Sequence, residues 1–469
     1  MAEYRCVVCE YVYDEKKGGE AWADVPEEWL CPVCGSPKKL YERVVEKEPE
    51  TSPDQEPPSD APSDLEALLR PADEFETTMA DIHEMAETGQ SISEPMRTRK
   101  PTISWDDLLI KGAQLAKLPL NADEPVATRT VIGPGTAQPL VLETPIYISH
   151  MSFGALSKEA KVALSIGSAA VKTAMGSGEG GILPESFERA HCYIFEYIPN
   201  QYSVNAANLK KVDAVEIKFG QSAKPGMGGH LPGNKVTEEI ARIRGFEPGK
   251  SITSPAQYPD ILNPNDLKKK VGWLREASGG KPVGIKFAAG HVEADLETAL
   301  FAGPDFITID GRAGSTGSAP KFVKAATSVP TLFALYRARR YFQEHAVTDV
   351  SLVITGGMRI SADFAKALAL GADAVAIGTS ALMAIGCQQY KICNTGKCPM
   401  GIATQDPLLR ANLNVSKAAK RLENFLTAST AELQDFARLT GNDDVHALSV
   451  SDLCTTNSEI SSHTDVEHV

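Results

Sequence analysis

The sequence predicts an α/β fold: a (β/α)8 barrel of the TIM type, preceded by a small domain that holds one metal ion on four cysteines. Three observations lead there. From Pro145 onward, short β-branched runs alternate with Ala-rich stretches of helical period, the pattern of a parallel sheet with crossover helices. Glycine-rich segments follow several of those runs, where a barrel places its catalytic loops. The first 34 residues carry two Cys-x-x-Cys pairs, Cys6/Cys9 and Cys31/Cys34.

The clearest strands are Pro145–Ser149, Ala214–Phe219, Pro282–Phe287, Phe306–Asp310, Val350–Thr355 and Ala374–Ile377. Two more are expected, one after Val171 and one near Pro330–Phe333, and eight would close a barrel. On pattern alone a doubly wound open sheet is the alternative. Helices are expected over Lys158–Lys172, Ala362–Leu370 and Pro407–Gly441, and in the irregular lead-in over Leu65–Leu69 and Ala80–Ala86.

Composition bounds the function. A 469-residue chain with 42% hydrophobic residues suits a soluble protein of a large barrel plus a module. No apolar run of about 20 residues exists to cross a membrane. The N-terminus lacks the apolar core of a signal peptide, so a cytoplasmic location is expected. The net charge of −14 is uneven: residues 1–45 hold nine acids and six bases, 46–66 eight acids and one lysine, and 443–469 six acids and no Lys or Arg. Residues 67–442 are near neutral, with 38 acids and 40 bases. No clustered positive charge marks a nucleic-acid surface. The expected domains are therefore 1–45, the metal module; 46–64, an acidic Pro-rich linker unable to bury apolar surface; 65–442, the barrel; and 443–469, an acidic tail expected to fray.

Nine cysteines occur, seven of them in two tight groups, which in a cytosolic protein points to metal ligation rather than disulfides. Two Cys-x-x-Cys turns offer four thiolates in tetrahedral array, suited to Zn(II) or a single iron; a structural zinc ribbon is the plain reading of the spacing. The surroundings add to it. Tyr11, Tyr13-Asp14 and Asp24-Val25-Pro26-Glu27-Glu28-Trp29-Leu30 ahead of Cys31-Pro-Val-Cys34-Gly35 resemble rubredoxin across residues 1–45. That resemblance implies a mononuclear iron cycling one electron. The loop between the pairs is shorter than in typical rubredoxins, and Glu10 stands where glycine usually follows the first pair. The second group is Cys387, Cys393 and Cys398, with Pro399 after it. Cys192 and Cys454 stand alone and read as idle thiols.

Among the glycine segments are Gly176–Gly181, Asp310–Ser318, Gly356-Gly357 and Gly378-Thr379. The last two follow what should be the final pair of strands, the usual phosphate position of a barrel, where bare backbone N–H groups can wrap a phosphate. Longer motifs then carry a specific resemblance. Ser149-His-Met-Ser-Phe-Gly-Ala-Leu-Ser157, Ser177–Gly181, Glu216–Gly226, Gly229–Val236 and Cys387 through Gln405 resemble the FMN domain of glutamate synthase, over roughly residues 100–412.

That resemblance implies reductive amination: 2-oxoglutarate condenses with ammonia or an amine, and reduced FMN delivers hydride. It assigns Lys218, Gln221, Lys224 and Arg244 to the substrate carboxylates, and Glu179 to the oxo group or amine. Lys286 falls to the flavin ring, and Ser152, Gly314, Ser315, Gly356, Gly357, Gly378 and Thr379 to holding FMN. It implies a 3Fe–4S cluster on Cys387, Cys393 and Cys398, with electrons running from mononuclear iron through the cluster to FMN. A 4Fe–4S cluster would need Cys454 as fourth ligand. Arg312 stands where a smaller residue is expected, and Arg242 reads as a solvated charge. No glutaminase nucleophile or nucleotide-binding fingerprint is found, so separate glutaminase and reductase proteins are expected as partners, and an oligomer is possible. The alternatives are an N-methylglutamate synthase-like enzyme using methylamine and an electron-transfer flavoprotein without amination.

Overall fold

A computed structural model of the chain describes residues 2–15, 20–44, 70 and 73–469. The linker at 46–64 and the helix expected at Leu65–Leu69 lie outside the described residues. Internal contacts divide the chain into two units, Met1–Ser93 and Glu94–Val469.

In the first unit, strand Glu3–Cys6 lies between Val12–Asp14 and Tyr41–Arg43, antiparallel to both. So short a segment cannot enclose a large aliphatic core. Aromatic rings serve instead: Trp22 stacks on Tyr4 with centroids 4.6 Å apart and meets Trp29 edge-on at 5.7 Å. Such offset and edge contacts suit the ring quadrupole. The expected helix at Ala80–Ala86 is present as Met79–Thr88, ended by Gly89 in the left-handed region at φ 63°.

In the second unit, eight parallel strands close into a barrel in chain order. They are β1 (Ile146–Ile148), β2 (Ala174–Gly176), β3 (Cys192–Tyr197), β4 (Ala214–Lys218), β5 (Val283–Ala288), β6 (Phe306–Asp310), β7 (Ser351–Thr355) and β8 (Ala374–Ile377). The pairing of β8 with β1, Val375 beside Ile146, closes the ring and excludes the open sheet. The strand expected after Val171 is β2. The one expected near Pro330–Phe333 is not a strand: Pro330 forms a single bridge with Arg312, and helix Thr331–Glu344 starts at once. Proline cannot donate to a ladder, and its fixed φ suits a helix start. The missing strand is β3, where Glu196 interrupts the apolar run Tyr193-Ile-Phe195.

Period-2 alternation sorts each strand's side chains. Ile146, Ile148, Val215, Ile217, Ile285, Ile307, Ile309, Leu352, Ile354 and Val375 belong to the large outer core that includes helix residues such as Leu164, Leu335, Phe364 and Leu422. Tyr147, Ala174, Ile194, Ala214, Phe306, Val353 and Ala374 form a separate cluster inside the barrel, packed with Ile132, Leu140 and Leu142. Those last three come from a hairpin, Thr130–Ile132 with Leu140–Leu142, which plugs the N-terminal end. A Cβ on Gly284 would lie 2.3 Å from the Phe306 ring, so glycine there leaves room for the phenylalanine. One step further along the same strands the inward residues are polar: Glu196, Glu216, Lys286 and Thr308.

The C-terminal stretch corrects an expectation. Residues 443–469 do not fray. Strand Leu453–Thr455 pairs antiparallel with Leu108–Ile110 and parallel with Glu467–His468. Leu453, Ile460 and Val466 are buried. Of the six acids read from composition, Glu459 and Asp465 sit between these anchors and the other four flank them, and the segment orders because its apolar residues are buried. The expected helix at Pro407–Gly441 is two, Pro407–Arg410 and the long Val415–Leu439. Among the described residues no helix is long and apolar enough to cross a membrane.

Truncating a buried leucine costs about 2–5 kcal/mol. Leu453→Ala is therefore expected to destabilise the second unit by an amount in that range, read as a shifted midpoint in chemical denaturation; a frayed tail would leave the midpoint unchanged.

Candidate functional site

The C-terminal ends of the strands open onto one cavity. All sixteen sequence-predicted residues of the second unit line it: Glu179, Lys218, Lys286, Gln221, Lys224, Arg244, Ser152, Gly314, Ser315, Gly356, Gly357, Gly378, Thr379, Cys387, Cys393 and Cys398. They come from segments spread over more than two hundred residues, brought together because parallel strands all end on the same face.

The cationic part of the cavity is built around one carboxylate. Lys218, at the end of β4, donates to Glu179 Oε2 at 2.6 Å and to Gln221 Oε1 at 2.9 Å. Gln221 passes the chain on to Thr316 Oγ1 at 3.0 Å. Burial acts to raise the Glu179 carboxyl, but Lys218, Lys224 and Arg244 around it prevail and hold it down at about 2. A Cβ on Gly229 would come within 1.9 Å of Glu179 Oε1, so the Gly228-Gly229 backbone closes over that oxygen. Lys224 donates to the Gly228 carbonyl at 3.3 Å. Arg244 donates to the Phe153 carbonyl at 2.7 Å, lies 5.6 Å over the Tyr202 ring, and keeps a buried Nε with no partner. Among the described residues neither Lys224 nor Arg244 has a carboxylate within salt-bridge distance. Arg242 is exposed, as its reading as a solvated charge expects.

Below this lies a buried polar layer of which sequence reasoning singled out Lys286 but not Glu196, Glu216 or His150. Lys286 Nζ is 3.3 Å from Glu196 Oε1. Glu216 faces His150 Nε2 at 3.0 Å and accepts from Thr308. The Gly178 N–H donates to His150 Nδ1 at 3.2 Å, which leaves Nε2 as the ring nitrogen on the Glu216 side. Burial would raise both carboxyls; for Glu196 it is outweighed by Lys218, His150 and Lys286, and for Glu216 by His150 and Lys286, so both titrate below their ordinary range. A signal existed: a charged residue at an inward position of an otherwise apolar parallel strand can point only into the barrel. Lys161, fully buried on helix Lys158–Ala170, donates to the carbonyls of Met151, Gly176 and Ser177 at 2.9, 3.0 and 2.8 Å. It ties the loop after β1 to the loop that carries Glu179.

The phosphate candidates divide in two. At Gly314 a Cβ would meet Ser222 Oγ at 2.0 Å, and at Gly356 the Gly311 carbonyl at 2.4 Å; chain crowding alone demands glycine there. At Gly378 a Cβ would meet only Met151 Sδ at 3.8 Å. Ser315 Oγ is buried without a partner. Arg359 lines the cavity beside Gly356-Gly357, and burial, with Arg97 adding to it, lowers its guanidinium to about 10. An orphaned hydroxyl and an undercompensated guanidinium beside bare backbone fit a bound phosphate. Arg312, the departure noted in the sequence, turns away to the carbonyls of Lys324, Ala325 and Thr327, so its bulk is absorbed by the 324–327 segment.

Two cysteine sites differ in spread. The sulfurs of Cys6, Cys9, Cys31 and Cys34 all lie within 4.8 Å of one another, with Cys6–Cys34 at 3.8 Å and Cys9–Cys31 at 3.5 Å. Four sulfurs about 2.3 Å from one ion at tetrahedral angles sit about 3.8 Å apart, so the set fits a single ion. The two knuckles match: the Glu10 N–H bonds the Cys6 carbonyl and the Gly35 N–H bonds the Cys31 carbonyl, each at 2.8 Å, with φ of 64° and 70°. Glu10 thus takes the left-handed conformation that glycine adopts without strain. Cys387, Cys393 and Cys398 do not all lie within that distance of one another. Cys387 accepts from Gln389 Nε2 at 3.2 Å, and Cys393 Sγ lies 3.9 Å from Met96 Sδ. Cys454 is in strand Leu453–Thr455 and does not line the cavity.

Comparison with known proteins agrees with this geometry. The family described as the conserved region in glutamate synthase matches residues 77–443, and rubredoxin matches residues 3–41. The chain is 38% identical over 397 residues to a glutamate synthase large subunit-like protein of Rhizobium meliloti, covering 80% of this chain and 90% of that one. It is 39% identical over 379 residues to an archaeal-type glutamate synthase (NADPH) of Thermotoga maritima, covering 76% and 75%. With an archaeal glutamate synthase (NADPH) of Methanocaldococcus jannaschii it shares 35% over 399 residues, 78% of each chain. Among solved structures it is similar to a putative lactate oxidase of Pediococcus acidilactici, with a TM-score of 0.49 and 16% identity over 75% of this chain and 84% of that one.

The depressed Glu179 carboxyl makes a signed prediction. Its folded value, about 2, lies below an unfolded value of about 4.3. The stabilisation it contributes is full above about pH 4.3 and is lost as pH falls toward 2. Urea midpoints measured from pH 6 to pH 3 are expected to fall less steeply in Glu179→Gln than in the parent chain; equal slopes would refute a depressed Glu179.

Proposed function

The chain belongs to the glutamate synthase family and carries a rubredoxin domain, and from that premise we propose that it reductively aminates 2-oxoglutarate to glutamate in the barrel cavity. The observation that carries this reading is the charge balance of the cavity: Glu179 pairs directly with Lys218, while Lys224 and Arg244, both buried and sharing only the longer-range field of that same carboxylate, have among the described residues no carboxylate within salt-bridge distance. Two leftover cations in one pocket suit a substrate with two carboxylates. A pure electron carrier has no use for them.

In this reading Lys224 and Arg244 each take a carboxylate of 2-oxoglutarate. Lys218 and Gln221 orient the oxo end, and Glu179, ionised throughout the physiological range, accepts N–H bonds from the incoming ammonia or amine. Ser315, Arg359, Gly378 and Thr379 hold the phosphate of FMN, with Ser152, Gly314, Gly356 and Gly357 lining its path. Lys286, steadied by Glu196, places positive charge beside the ring. Reduced FMN, when bound, supplies the hydride that the substrate's iminium carbon receives. The relatives' names support glutamate as product, since they are called glutamate synthases. Cys6, Cys9, Cys31 and Cys34 hold one iron, supported by the rubredoxin match and the close sulfurs. Cys387, Cys393 and Cys398 hold a 3Fe–4S cluster, supported by their wider spread and by Cys454 lying outside the cavity. Held by these two cysteine sets, the mononuclear iron and the cluster would supply the electrons that reduce the flavin.

Purified protein is expected to contain about four irons per chain, one flavin and little zinc; one zinc with three irons would make the first domain a structural ribbon. A lost charge-assisted contact typically costs about 1.5–3 kcal/mol. Arg244→Ala and Lys224→Ala are each expected to raise the apparent constant for 2-oxoglutarate roughly ten- to hundredfold, with flavin and iron content unchanged, in turnover with dithionite and either ammonia or methylamine. Met variants, which keep most of the packing, are expected to lose as much. Unaltered 2-oxoglutarate affinity in both Ala variants would remove the amination assignment.

A further inference from the structure

A further buried cation lines the cavity, apart from the group assigned to the substrate. Lys235 ends the short turn Gly233–Lys235, between the Gly228-Gly229 segment and helix Glu238–Arg244. It is 4% exposed. Its ammonium donates to the carbonyl oxygen of Cys393 at 2.7 Å, and it lines the same wall of the cavity as Cys387, Cys393 and Cys398. Among the described residues no carboxylate pairs with it. The cysteine loop is shaped to admit it: Gly396, at φ +78°, would place a Cβ 3.2 Å from Lys235 Cε. The neighbouring Asn234 reaches over to the Thr395 carbonyl at 3.4 Å. So the turn and the cysteine loop are laced together around one buried lysine.

A buried ammonium with no anion is costly, and native proteins do not leave one uncompensated. A carbonyl satisfies one N–H but supplies no net charge. The groups that Lys235 touches belong to the cysteine loop, and Cys387, Cys393 and Cys398 would bring negative charge to this wall once they hold a cluster. We propose that Lys235 is a positioning residue for the iron–sulfur cluster, its ammonium serving as the buried counter-charge that raises the cluster's reduction potential. This rests on the cluster assigned above. Each reduction adds one electron from the mononuclear iron, which goes from Fe(II) to Fe(III), and the added negative charge is stabilised by a fixed cation close by; passing the electron on to the flavin restores the starting charge. No proton moves at Lys235. Charge and hydrogen bonding around the sulfurs are among the levers that set such potentials.

The test uses the full-length, reconstituted chain and three variants: Lys235→Met, which keeps the stem and removes the charge, Lys235→Gln, and Lys235→Arg, which keeps the charge. Iron content and an EPR-monitored redox titration of the cluster are read for each. The Met and Gln variants are expected to hold about tenfold less reduced cluster at a given poise, a fall of ~59 mV in a one-electron midpoint, while the Arg variant stays near the parent. Loss of cluster iron in Met and Gln but not in Arg would also support a counter-charge. Parent-like midpoints in Met and Gln, an equal shift in Arg, or loss of iron in all three would overturn the proposal. A parent protein with one iron and no cluster signal would instead overturn the cluster itself, and this inference with it.

Discussion

Everything at the active end of the barrel depends on the inward alternation of its parallel strands. Both faces of each strand are buried, one under helices and one inside the ring, so an inward charged residue has no route to water except along the barrel axis. The apolar layer of Tyr147, Ala174, Ile194, Phe306 and Val353, sealed by the Thr130–Leu142 hairpin, closes the lower exit. Glu196, Glu216 and Lys286, two residues further on, must therefore face the upper cavity and each other. Their mutual pairing, with His150 as fourth partner, compensates the desolvation that each alone could not bear.

That layer is the floor on which the substrate group stands. Lys218 follows Glu216 by two residues on β4 and so emerges one step higher, where it meets Glu179 from the loop after β2. The loop's position is not left to the ion pair alone: Lys161 gathers three carbonyls from the loops after β1 and β2. Reaction geometry held by buried, multiply bonded groups is preorganised, and groups held before substrate arrives need no costly rearrangement during the reaction. Lys224 and Arg244 rest on single carbonyl acceptors, which in the proposed reading leaves their charge for the substrate. A cation already saturated by a protein carboxylate would have little left for a ligand.

The two cysteine sites show different solutions to placing sulfur. In the small domain, two knuckles of identical hydrogen bonding aim four sulfurs at one point, and Glu10 accepts a left-handed backbone to keep the first knuckle equal to the second. In the barrel, three sulfurs spread along one loop after β8, backed by Met96, Gln389 and Lys235. One site is defined by local turn geometry; the other borrows its surroundings from distant segments.

Much was legible in the residues themselves. Four cysteines in two Cys-x-x-Cys turns specify a tetrahedral site because the turn geometry is local. Six strands could be read from β-branched runs because buried parallel strands are apolar on both faces, and Ser177–Gly181, Glu216–Gly226 and Cys387–Cys398 carried a family resemblance in their order. Other features had no local signature. β3 was hidden by Glu196, whose charge is held by Lys218, His150 and Lys286 together. Pro330 resembled a strand start until the chain turned into a helix there. The acidic C-terminal residues looked unfit to fold, yet Leu453–Thr455 finds a sheet edge some 350 residues earlier, at Leu108–Ile110, and Ile460 and Val466 are buried behind it. Arg359 and Lys235 went unassigned in the sequence, because a charge reveals its role only through the anion that is missing beside it. The sequence by itself determined which residue types and turns are present. The tertiary structure decided which charges are left unpaired, since that depends on the burial and company of side chains far apart in the chain.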